Sequence, residues 1–208
     1  WVRLMYAYPG YVRDSLIDIM CKSRQLLPYL DIPLQHASAG VLKAMKRPAN
    51  MDWVRNTIGK MRERIPALAL RTTFITGFPA ETEKDYQLLL DFVSEIEFDH
   101  VGVFPYSYET GTTGASLGDP IPEDEKLARV EGVMKLQESI SLRKNQAFIG
   151  KHLDVLIEGY GDGVSIGRSY RDAPEIDGLV IIEDKAEIGK IVPINITGAL
   201  THDLIGRL

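Results

Sequence analysis

Cysteine is almost missing from this chain. A single thiol, Cys21, stands among 208 residues, which excludes an intramolecular disulfide framework and any multi-cysteine metal or iron–sulfur site built by this chain alone. Cys21 lies in a helical stretch, where a buried structural residue is expected rather than a reactive thiol. No apolar run approaches the roughly 20 residues of a membrane-crossing helix, and no basic or Ser-rich targeting pattern stands at the front. A cytosolic protein without membrane contact is expected. Basic charge is also in deficit. The formal net charge is −5, which argues against direct nucleic-acid binding as the main activity. A Walker-type loop, a Ser-His-Asp order and a paired-acid motif are all absent, so no complete catalytic constellation is present. The chain opens at Trp1 inside an apolar run that includes Val2, Leu4 and Met5. A cut through a larger protein is expected.

What is present is globular: 45% hydrophobic and 25% charged residues, enough for one sizeable core and a smaller second one. The first part alternates short apolar strands with amphipathic helices, the pattern of parallel βα units. Strands are predicted at Trp1–Tyr8, Tyr29–Leu34, Leu68–Thr76 and His100–Tyr106. Helical spacing links Val54, Ile58, Met61 and Ile65, and again Tyr86, Leu89, Leu90, Val93 and Ile96. Asn50 is a candidate cap for the first helix, and Thr82 with Asp85 resembles a capping box for the second. A further helix is predicted from Pro122 to about Gln146, with Glu123, Asp124 and Glu125 in its first turn. Beyond Gly150 come about five short β runs, two of them joined by the hairpin signal Asp162-Gly163. The expected architecture is α/β, a partial barrel over residues 1–147 followed by a small five-stranded β-barrel over 148–208. Four βα units cannot close an ordinary eight-stranded barrel, so either the barrel is partial or strands precede Trp1.

In parallel α/β folds, ligands bind beyond the carboxyl ends of the strands. The polar residues there are Gln35, His36 and Ser38, then Thr73 to Gly77, then Tyr106 and Ser107. Arg71 and Thr73 share one face of their strand. An inward Arg71 needs an anion, either a cofactor carboxylate or an acid from a neighbouring strand. His36 reads as a hydrogen-bonded strand-end residue or as a catalyst, and Ser38 as a helix N-cap or as a ligand contact.

Several long strings then become specific. Tyr29-Leu-Asp-Ile-Pro-Leu-Gln-His-Ala-Ser38, Arg71-Thr-Thr-Phe-Ile-Thr-Gly-Phe-Pro-Ala-Glu-Thr-Glu83 and Gly102-Val-Phe-Pro-Tyr-Ser107 resemble the radical S-adenosylmethionine (SAM) methylthiotransferases. The last module is similar to a TRAM domain, and Gly167 to Gly178 looks like the RimO branch, which adds a methylthio group to the β-carbon of an aspartate in the twelfth small-subunit ribosomal protein. The resemblance implies SAM and two 4Fe-4S clusters as cofactors, an electron donor that reduces them, and a basic ribosomal protein as substrate. It carries over Gln35, Ser38, Arg71, Thr73 and Tyr106 as residues lining the cofactor, and no metal ligand or catalytic residue. The cluster cysteines of the family are absent, so the chain alone is expected to be inactive. Ala80 also stands where the family usually has glycine.

Two other readings remain open on sequence: a transfer RNA substrate, as in the MiaB-like branch, and a non-catalytic binding fragment. Charge favours the ribosomal protein. Residues 151–208 hold ten acidic against six basic residues, a net of −4, which repels phosphates and attracts a basic protein. A transfer RNA substrate would require Lys151, Arg168, Arg171 and Lys190 to gather on one face.

Overall fold

The computed structural model describes residues 1–208, the side chain of Thr113 excepted. Two compact units form, 1–137 and 138–208.

The first unit is built on four parallel strands: β1 (Val2–Leu4), β2 (Leu26–Asp31), β3 (Ala69–Thr76) and β4 (His100–Pro105), adjacent in chain order. Between them run α1 (Asp14–Lys22), α2 (Ala39–Ala44), α3 (Met51–Arg64) and α4 (Glu83–Ile96), and after them α5 (Glu123–Gln146), inside which the two units divide. Sequential parallel order is what short βα connections produce.

The helix starts are as the local sequence predicts. Asn50 accepts the Trp53 N–H at 2.9 Å, and Thr82 and Asp85 close a reciprocal capping box. On the buried side of α3 lie Val54, Ile58 and Met61; on that of α4, Leu89, Phe92, Val93 and Ile96. The alternation of β3 sends Leu70, Thr72 and Phe74 to one face. There Phe74, Phe92 and Phe98 meet as a cluster with centroids 5.9 to 6.5 Å apart.

Three expectations are corrected. The first strand stops at Leu4 rather than Tyr8, because Tyr6 takes a left-handed φ of 56° and gives its N–H to the Asp31 carboxylate at 3.0 Å. The second runs over Leu26–Asp31 and not to Leu34: Pro33 has no N–H, and Leu34 gives its own to the Thr72 hydroxyl. Cys21 is exposed near the end of α1, its thiol donating to the Arg64 carbonyl at 3.2 Å, so it is not a buried helix residue. The apolar face of α1 is carried instead by Ile17 and Met20.

In the second unit β5 (His152–Gly161), β6 (Val164–Ser169), β7 (Val180–Ile182), β8 (Ile191–Ala199) and β9 (Leu204–Arg207) close into a barrel ordered β5-β6-β7-β9-β8. Its interior is filled by Val155, Ile157, Val180, Ile182, Ile194 and Ile196, all at most 1% exposed. Asp162 and Gly163 have φ of 52° and 83°, the two left-handed positions that a tight hairpin of matching twist requires.

Phe74 anchors the helix-facing side of the sheet. Phe74→Ala is expected to cost about 3–5 kcal/mol, read as a lowered urea midpoint with an unchanged slope.

Candidate functional site

The face of the sheet opposite Phe74 is polar. Register places Asp31, Arg71 and His100 side by side on β2, β3 and β4, with Thr73 next to Gly102 one step further along. Arg71 Nη1 donates to Asp31 Oδ1 at 3.1 Å and to the Thr73 hydroxyl at 3.2 Å. The anion that Arg71 needs within the fold is thus an acid of the neighbouring strand. Asp31 is fully buried and Arg71 is 9% exposed. Arg3 stacks over the Tyr29 ring at 4.8 Å, and that ring lies 6.5 Å from His100. Gly102 keeps the position over the guanidinium open: a Cβ there would come to 3.4 Å from Arg71 Nη2 and 3.7 Å from the Thr73 hydroxyl.

Three segments follow the strand ends. After β2, Gln35 bridges back to β3 from a left-handed φ of 72°, its N–H bonding Thr73 O and its carbonyl taking the Ile75 N–H. His36, fully buried, accepts the Ser38 N–H on Nδ1 at 2.9 Å, which leaves the proton on Nε2, 3.2 Å from Glu81 Oε2. Ser38 caps α2, and its hydroxyl also donates to Asp85 at 2.5 Å. After β3, Gly77 takes φ +74° and gives its N–H to Glu81 at 2.9 Å. After β4, the Tyr106 ring meets Phe78 edge-on at 5.2 Å.

The structure therefore brings Arg71, Thr73 and the Gln35 backbone together. It holds Ser38 and Tyr106 through other partners, in the neighbouring segments. Sequence reasoning missed Glu81, whose side chain is fully buried between His36 and Arg129 Nη1, the latter at 2.6 Å. It also missed Asp31, Lys126 and Arg129. Asp31 and Glu81 stand inside the strings that carried the resemblance, but neither periodicity nor spacing marks them. Burial raises the Glu81 carboxyl, but His36, the Arg129 guanidinium and the Gly77 N–H together outweigh it and hold the group below the ordinary carboxylate value. Ala80 lies outside the left-handed region, so alanine fits that turn.

The chemistry of the donor set decides which cofactors suit these residues. Among the described residues no three His, Cys, Asp or Glu side chains converge as metal ligands. A 4Fe-4S cluster therefore does not fit this chain's own residues. What the Arg71–Thr73 face does offer is a guanidinium and a hydroxyl, the donors that a small anionic or polar group takes, beside a glycine with no side chain over them.

Because the Glu81 value is lowered in the fold, its stabilisation is complete above the unfolded carboxylate value of about 4.3 and is lost as pH falls through the lower folded value. Glu81→Gln should cost about 3–5 kcal/mol at neutral pH and flatten the acid limb of stability, measured by urea melts at stepped pH.

Comparison with known proteins agrees with this fold. The Radical SAM superfamily model matches residues 1–93 and the TRAM domain model residues 149–208. Proteins named "Ribosomal protein uS12 methylthiotransferase RimO" align along the chain. The one from Syntrophotalea carbinolica is 46% identical over 212 residues, covering 100% of this chain and 47% of that protein. One from Thermus thermophilus is 47% identical, covering 99% and 48%, and that from Chromobacterium violaceum 49%, covering 100% and 48%. The chain spans about half the length of these relatives. With the parallel sheet, the closed five-stranded barrel and this identity along the whole of its length, the chain belongs to the radical SAM methylthiotransferases, in the RimO family, and carries their TRAM domain.

Proposed function

We propose that the chain is the cofactor-walling and substrate-docking part of an enzyme that adds a methylthio group to the β-carbon of an aspartate in a basic small-subunit ribosomal protein. The observation that carries this reading is the Arg71–Thr73 pair, with Gly102 beside it, set midway along β3 next to the carboxyl end of β2, in a chain with relatives of that name. SAM bound there would be the source of the hydrogen-abstracting radical and a further SAM that of the methyl group, with the sulfur, the clusters and an electron donor coming from outside this chain. The chain's own residues bind and orient. Arg71, braced by Asp31, presents its guanidinium to a carboxylate. Thr73 and the Gln35 backbone line the same side, while Ser38 and Tyr106 hold the bordering segments.

Charge supports a protein substrate. Of the four basic residues that a transfer RNA would need, the two arginines are engaged within the fold: Arg171 is 2% exposed and bonds Asn145 at 3.0 Å, and Arg168 makes a two-pronged pair with Glu158. Lys151 lies over the Phe148 ring at 5.2 Å, and Lys190 is 3.9 Å from Glu187. A cytoplasmic location fits a ribosomal substrate, and no helix among the described residues is long and apolar enough to cross a membrane.

The test is mass spectrometry of the ribosomal protein and of transfer RNA after reaction with the full-length protein, SAM and a reductant. One methylthio group on one aspartate is expected, and Arg71→Ala should raise the KM for SAM about tenfold or more, the worth of a charge-assisted hydrogen bond. Modification of the RNA instead would overturn the assignment.

A further inference from the structure

Two cations at the start of α5 hold the strand-end segments from behind. Lys126 and Arg129, three residues apart, share one face of the helix. They are 2% and 6% exposed, and basic side chains are rarely so buried unless paired. Lys126 reaches between two segments. Its stem lies against Gly77, where an added Cβ would come within 2.3 Å of Lys126 Cγ. Its ammonium donates to Tyr106 O at 3.3 Å, to Asp119 at 2.7 Å and to Glu123 at 3.3 Å, and lies 5.7 Å from the centre of the Tyr106 ring.

Arg129 holds the same segment after β3 further along, at Glu81. It bonds Glu81 and Glu125, and Glu81 in turn takes the Gly77 N–H and faces His36. The segment after β3 thus meets both cations, the one after β4 meets Lys126, and the one after β2 reaches Arg129 through Glu81. An apolar side chain would fill the same space without the desolvation cost of a buried ion. What it would not supply is direction, because only a donor fixes the Tyr106 carbonyl and the Glu81 carboxylate in one orientation.

We propose that Lys126 and Arg129 are positioning residues for cofactor binding: without touching SAM, they fix the segments of Gly77 and Tyr106 that border its site. The role rests on the cofactor reading above. It follows that their loss acts on SAM affinity rather than on the chemical step.

The experiment uses full-length protein with its clusters restored, and measures SAM dissociation by equilibrium dialysis, KM and kcat, and thermal melting. Lys126→Met keeps the stem and removes the ammonium, and Arg129→Lys keeps charge but loses the fork. The expected result is a Kd and KM for SAM raised about tenfold in Lys126→Met, with kcat changed less than about twofold. Arg129→Lys is expected to bind SAM better than Arg129→Met. Variants that bind SAM like the wild type but melt lower would overturn the positioning role and leave a purely structural one. Should Lys126→Met fail to fold, the Arg129→Lys and Arg129→Met pair decides: equal affinity in the two overturns the role. Wild-type protein that binds no SAM would overturn the cofactor reading itself, and the positioning role with it.

Discussion

A carboxylate with no access to water must be compensated by its neighbours, and Glu81 is such a group. Its side chain is fully buried, with Arg129 at 2.6 Å from one oxygen, and the Gly77 N–H at 2.9 Å and His36 at 3.2 Å from the other. Those partners come from the segment after β2, the turn after β3 and the helix α5. The charge can be tolerated only while all of them hold their places, so the demand for compensation becomes a demand on geometry. The left-handed turn at Gly77 serves it: φ +74° aims the N–H at the carboxylate.

The same strand that leads into this turn separates the two sides of the sheet. Along β3, Phe74 packs into the aromatic cluster beneath the helices, and its neighbours Thr73 and Ile75 face the other way. Register is therefore not free to slip. A shift of one residue would turn Arg71 into the cluster and expose Phe74 beside Asp31, leaving a buried charge and an uncovered ring. The Arg71–Asp31 pair contributes little net stability, because the lost hydration of each ion is only offset by their attraction. Its value lies in holding a guanidinium oriented at a face that Gly102 leaves open.

Features made by residues close together in sequence were legible in it. The capping box of Thr82 and Asp85, the Asn50 cap, the acid-rich start of α5 and the hairpin at Asp162-Gly163 each depend on four residues or fewer. The pairs that make the site join residues 40 apart for Asp31 and Arg71, and 48 apart for Glu81 and Arg129. No local pattern encodes which distant acid a basic residue meets. Strand ends failed for a related reason: the ends of β1 and β2 are set by where Tyr6 and Leu34 send their N–H groups, and both go to side chains. Cys21 shows the limit of composition, since a residue type that is usually buried here lies on the exposed side of α1.

Over residues 151–208 the count of charges does not show where they stand. Ten acids against six bases give −4, but the bases are not equally available. Arg171 is sealed between the Phe148 ring, 4.3 Å from its guanidinium carbon, and Asn145, whose amide donates in turn to the Leu200 and Thr201 carbonyls. Arg168 is neutralised on Glu158, and Arg207 on Glu183. Asp154, Asp162 and Glu175 remain exposed. A polyanion approaching this barrel would meet carboxylates with few cations to offset them, whereas a basic protein would meet attraction that falls with added salt. Each of these ion pairs removes one charge of either sign, so the field outside keeps the −4 of the count, which repels an anion and attracts a cation.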